Sequence, residues 1–82
     1  MNRVTTHPRR SKRAARPLVK LLVHTQTLGG RVRGWLYDPT MAVLKTVDGT
    51  DRQAVTRSLT VFGLFWLRAF DKRGKIVDGG DL

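Results

Sequence analysis

The chain has no cysteine, no glutamate, two histidines and three prolines, and its longest apolar run, Val61 to Leu67 with Gly63 inside it, is seven residues. Without cysteine there is no disulfide framework, thiolate metal site or sulfur nucleophile. All six acids are Asp, and most stand beside turn and cap residues rather than in pairs. His7 and His24 lie far apart with no acidic cluster beside them, so no metal site is expected. Ser11 and Ser58 have no neighbouring base, and no glycine-lysine phosphate loop is present. These absences speak against an enzyme, leaving no catalytic residue and no cofactor to assign. Seven apolar residues fall well short of the ~20 that span a bilayer, and no secretory signal is visible. The expected setting is cytoplasmic, associated with the nucleoid, with no membrane partner.

What is present is positive charge. Sixteen Lys and Arg against six acids give 82 residues a net charge of +10. A chain of this length makes one small domain, and the charge implies an anionic partner, nucleic acid before membrane. Residues 1–37 carry nine basic residues and no acid, whereas residues 38–82 carry seven basic residues and six acids. Residues 1–16 (MNRVTTHPRRSKRAAR) lack apolar periodicity and read as a flexible basic arm with Arg9, Arg10, Lys12, Arg13 and Arg16. An organelle transit peptide would share its Arg-rich start, but Pro8 and the weak apolar face do not fit one.

Residues 17–82 read as the folded domain. Pro17 suits a helix start, and Leu18, Leu21, Leu22, Thr25 and Leu28 recur at helical spacing to Gly29-Gly30, which predicts a helix over 17–28. Val19, Leu21 and Val23 also alternate as in a strand. A strand is predicted over 31–37 and a short helix over 40–47, capped by Asp38 or Thr40 and burying Met41, Leu44 and Val47. Asp48-Gly49 breaks it. Thr50 and Gln53 then form a capping box for a helix over 51–62, with Val55, Leu59 and Phe62 turned inward. Residues 67–78 bracket Asp71-Lys72-Arg73-Gly74 as a hairpin. Helix, turn, helix and basic hairpin make a winged helix-turn-helix, mainly α with a small β-hairpin. The eighteen Val and Thr residues support a rival, a small all-β barrel.

Leu44, Val47, Gly49, the run Arg52 to Arg57, Leu59, Leu67 and Arg73-Gly74-Lys75-Ile76-Val77 carry a resemblance to one family. Residues 40–82 resemble the DNA-binding domain of the catabolite-activator (cyclic-AMP receptor protein) family of bacterial transcription regulators, with no effector domain expected. The resemblance implies base contacts by Arg52, Gln53 and Arg57; Thr56, on the same helix side, is added to them. Gln53 stands where the family has an acid, which favours adenine over cytosine. Lys45 and Ser58 depart from the family's small and apolar residues. Thr50, Thr60, Lys72, Arg73, Lys75 and the arm cations are assigned to phosphate. Leu64, Phe65 and Trp66 are assigned to self-association, since half-site reading calls for a dimer.

The expected function is sequence-specific binding of double-stranded DNA by a small bacterial, plasmid or phage transcriptional regulator. A basic, β-rich RNA-binding or ribosome-associated module is the alternative, with strands and arm gripping the RNA. Residues 30–44 carry a faint likeness to the Sm-like RNA-binding pattern, with a shorter Gly-to-Asp spacing and Ala42 in place of Asn. A third class is an inhibitor that docks on a protein through Phe65 and Trp66.

Overall fold

The computed structural model describes residues 18–82, so the expected basic arm lies outside the described residues. Four strands and one helix follow in the order β1 (Val19–Leu28), β2 (Arg31–Tyr37), β3 (Val43–Gly49), α1 (Arg52–Ala69) and β4 (Gly74–Asp81). They form one sheet in the order β3-β2-β1-β4. The first three strands are an antiparallel meander, and β4 joins the free edge of β1 in parallel. A parallel neighbour cannot be reached by a tight turn. The chain returns to it through α1, which crosses one face of the sheet and contacts all four strands.

This is not a winged helix-turn-helix, and three expected elements are corrected. The helix predicted over 17–28 is β1. Leu21 and Leu22 mimic a helical stripe because each is shielded on a different face, Leu21 beneath α1 and Leu22 on the opposite side. Gly29 and Gly30, read as a helix stop, both have positive φ (59° and 76°) and form the two-residue β1–β2 turn. That geometry is the type I′ turn whose twist matches paired strands. The helix predicted over 40–47 is β3, and Asp38 organises the loop before it. Its Oδ1 accepts from Thr40 N–H (2.8 Å), Thr40 Oγ1 (2.7 Å) and Ala42 N–H (2.9 Å), closing a turn that leads into a strand. The hairpin predicted over 67–78 does not form, because 67–69 complete α1 and β4 pairs with β1 instead.

The helix over 51–62 is real in place but longer. Its N-cap is Asp51, whose carboxylate accepts from Gln53 N–H at 3.3 Å, so the Thr50–Gln53 capping box does not form. The helix continues through Gly63 to Ala69 because packing outweighs the ~1 kcal/mol cost of an internal glycine. It ends in a Schellman motif, with Lys72 N–H bonded to Leu67 O (2.8 Å) and Asp71 N–H to Arg68 O (3.1 Å). Asp71 adopts the left-handed conformation this stop requires (φ 52°).

Leu21, Val23, Val32, Leu36, Val55, Leu59 and Leu67 form the core between sheet and helix. Gly34 of β2 sets how close they come. A Cβ there would lie 2.5 Å from Val55 Cγ1 and 2.7 Å from Leu59 Cδ1.

Candidate nucleic-acid interface

Successive residues of a strand point to opposite faces. Val19, Leu21, Val23 and Thr25 of β1, and Val32, Gly34 and Leu36 of β2, therefore face α1. The other set faces away: Lys20, Leu22, His24 and Gln26 of β1, then Arg31, Arg33, Trp35 and Tyr37 of β2. Val47 and Lys45 of β3 follow the helix side by register, while Thr46 and Asp48 follow the open side. On β4, Lys75 and Val77 pair with Lys20 and Leu22 on the open side. Among the described residues no element covers this face.

Its centre is aromatic and its margins are basic. His24 and Trp35 are register partners, and the His24 and Tyr37 rings meet edge to face at 6.2 Å. Leu22, His24, Trp35, Tyr37 and Val77 are half-buried by one another, leaving ring surface toward solvent. Gly79 lies against the imidazole, whose Nδ1 is 3.3 Å from Gly80 O. Lys20 and Lys75 stand exposed as direct register partners, a like-charge pairing. Arg31 is exposed at the hairpin end. Arg33 pairs with Asp48 at 2.7 Å, and this hydrogen bond holds the Asp48 carboxyl below the usual carboxylate range. Asp48 is the only acid that the described strands place on this side.

Two shallow depressions flank the aromatic centre. One of about 400 Å³ is lined by Lys20, Leu22, Pro39, Met41 and Val77, with Leu21 and the loop carboxylate Asp38. The other, about 240 Å³, is lined by Gln26, Leu28, Arg31, Arg33 and Asp48 with Val32. They lie at opposite ends of the β1–β2 ladder.

The residues assigned to DNA bases and phosphates lie mostly elsewhere. Arg52 is a clamp: its Nε donates to Thr25 Oγ1 (2.8 Å) and its Nη2 to Asp78 (2.7 Å). Thr25, fully buried, donates its own hydroxyl hydrogen bond to Asp81 Oδ1 at 2.8 Å, so α1, β1 and β4 are joined at one end. Arg52, followed by the Gly80 N–H, holds the Asp78 carboxyl below its usual range. Gln53, Arg57 and Thr50 are exposed on or beside the first turns of α1, on the far side of the molecule from the open face. Thr56 is half-buried, and Thr60 returns its hydroxyl to Thr56 O at 2.9 Å. Lys72 and Arg73 lie in the turn after α1, and of the assigned residues in the described chain only Lys75 reaches the open face. The arm cations Arg9, Arg10, Lys12, Arg13 and Arg16 lie outside the described residues. Of the self-association residues, Leu64 and Phe65 are exposed, whereas Trp66 packs against the core and the Phe70 ring (5.0 Å). Lys45 takes the place of a close helix contact by sitting over the Phe62 ring, 5.4 Å from its centre.

The winged-helix reading gives the open face no role. The signal that finds it is period-two alternation in Lys20-Leu21-Leu22-Val23-His24 and in Arg31-Val32-Arg33-Gly34-Trp35. No family model, no curated protein and no solved structure matches the chain. No helix among the described residues is long and apolar enough to cross a membrane.

Proposed function

We propose that this chain binds single-stranded nucleic acid, RNA in particular, across the open face of its sheet. One observation carries the reading: Trp35, Tyr37 and His24 form an aromatic centre between Lys20, Lys75 and Arg31 on a face left uncovered by α1. Unpaired bases stack on aromatic rings, each worth ~1–3 kcal/mol, while cations at the margins take the phosphates. Sheet surfaces of this kind suit RNA because sequence-specific RNA recognition targets unstacked bases. The six cations among residues 1–17 add sequence-independent affinity that falls with salt. A duplex-reading helix has less support. Its first arginine is occupied by Thr25 and Asp78, and the helix-turn-helix that would aim it is absent from the described fold.

Fluorescence anisotropy with labelled single-stranded RNA, single-stranded DNA and duplex DNA tests the proposal. Single-stranded RNA is expected to bind tightest. Trp35→Ala/Tyr37→Ala should weaken it by about tenfold or more while a salt-sensitive background survives. A preference for duplex DNA that withstands this double variant, but is lost in Gln53→Ala/Arg57→Ala, would overturn the proposal and return the binding surface to α1.

A further inference from the structure

The outer face of α1 is as unusual as the open sheet, for the opposite reason. Val61, Leu64, Phe65 and Arg68 follow one another at spacings of three, one and three residues and so make one stripe. Val61 is 47% exposed, Leu64 52% and Phe65 63%, and Leu18 beside them is 53% exposed. The first four line a depression of about 210 Å³, which adjoins another of about 390 Å³ bounded by Leu18, Leu64, Leu67 and the turn after the helix. A row of apolar knobs beside a row of holes is the surface that helix pairs use.

We infer that a second copy of this chain docks here, pairing the two α1 helices antiparallel about Leu64 and Phe65. Three observations select that occupant. The four exposed apolar side chains present on the order of 400 Å² per copy, so two copies with their rims approach the ~1,000 Å² a specific interface needs. Residues 1–17 are a poor cover, because they contain six cations and only Met1, Val4, Ala14 and Ala15 as apolar non-proline residues. The stripe is also self-complementary. In an antiparallel pair, Arg68 of each copy overlies the Val61 turn of the other, so the two arginines stand about 10 Å apart rather than in contact. The surrounding Arg57, Lys72 and Arg73 repel across the pair, so the dimer strengthens as salt screens them. That response is the reverse of nucleic-acid binding.

Sedimentation velocity on the full, nucleic-acid-free chain at about 0.1 M and 0.5 M NaCl tests this. The expected result is a concentration-dependent dimer that tightens at the higher salt. Leu64→Gln/Phe65→Ser should weaken it by roughly thirtyfold or more, with the circular dichroism of the fold unchanged because both side chains are solvent-facing. Trp35→Ala/Tyr37→Ala should leave the dimer intact. A chain that stays monomeric at both salts overturns the inference. So does a dimer that ignores the helix variant and is lost in the sheet variant, or association only with an unrelated acidic protein.

Discussion

Gly34 and Gly63 face each other's elements across the core, yet they differ in what a methyl group would meet. At Gly34 the obstacles are Val55 Cγ1 at 2.5 Å and Leu59 Cδ1 at 2.7 Å. Val55 is β-branched and held in a helix, so it has little rotamer freedom to withdraw. Gly34→Ala should therefore cost about 1–3 kcal/mol, seen as a thermal midpoint lowered by several degrees. At Gly63 the nearest atom is Ile76 Cδ1 at 2.6 Å, the end of a flexible side chain, with Leu21 and Leu36 at an ordinary 3.4 Å. Alanine there also recovers up to ~1 kcal/mol of helix propensity. Gly63→Ala is expected to be near neutral, and a thermal melt comparing the two variants checks the asymmetry. Asp78 carries a different prediction at the same scale. Its folded-state pKa is lowered by Arg52 and the Gly80 N–H, so its contribution is present above the unfolded value of ~3.9. The contribution is lost as pH falls through the lower folded value. Wild type should lose more thermal stability between pH 6 and pH 3 than Asp78→Asn, with a small difference because Asp78 is half exposed. Equal losses would show that the clamp does not titrate.

At the scale of elements, legibility followed how many faces each element buries. α1 buries one face against the sheet through Val55, Leu59, Gly63 and Leu67, and its apolar spacing is plain in the sequence. Its cap lies one residue later than expected, since Thr50 and Asp51 are both competent and Asp51 holds the Gln53 N–H, and its end lies well beyond residue 62, at Ala69. β1 is shielded on both sides along Leu21 to His24, so two overlapping alternations merge into what looks like a helical stripe. Its β-branched residues Val19, Val23, Thr25 and Thr27 were the better guide. β3 is obscured further by an irregularity between Leu36 and Tyr37 in its pairing, which puts Leu44 out of simple alternation. The pairing of β1 with β4 joins residues some fifty positions apart and leaves no local mark. The open face is accordingly hidden in the sequence: its residues come from all four strands, and two of these, β1 and β3, read there as helices. Of the described residues to which the winged-helix reading gives a contact, Lys75 alone lies on that face, and that reading gives it a phosphate contact at the tip of a wing that does not form.

For the whole molecule, the sheet and helix present different chemistry on opposite sides. Aromatic and basic residues occupy the side away from α1, and apolar residues occupy the outer side of α1. A dimer built through the helices would turn its two sheet faces outward, so one particle would hold two strands of nucleic acid at once. Under the proposals above, a mixture of two differently labelled single-stranded RNAs should be brought into energy transfer by wild type. It should lose that signal in Leu64→Gln/Phe65→Ser, although that variant still binds each RNA alone. Retention of transfer in the helix variant would detach bridging from the helix pair.

The parallel pairing of β1 with β4 also gives folding an order in time. β1, β2 and β3 are linked by short turns and can pair as soon as they exist, whereas the second edge of β1 waits until α1 has crossed and β4 has arrived. Until then a central strand behaves as an edge, offering Lys20 to Thr25 to any passing chain. Closing that long connection is entropically slow compared with the hairpins. Refolding should therefore show early hairpin protection and late protection of β1 amides in pulsed hydrogen exchange. A nascent or truncated chain lacking residues 74–82 should aggregate through the same strand that becomes the middle of the finished sheet.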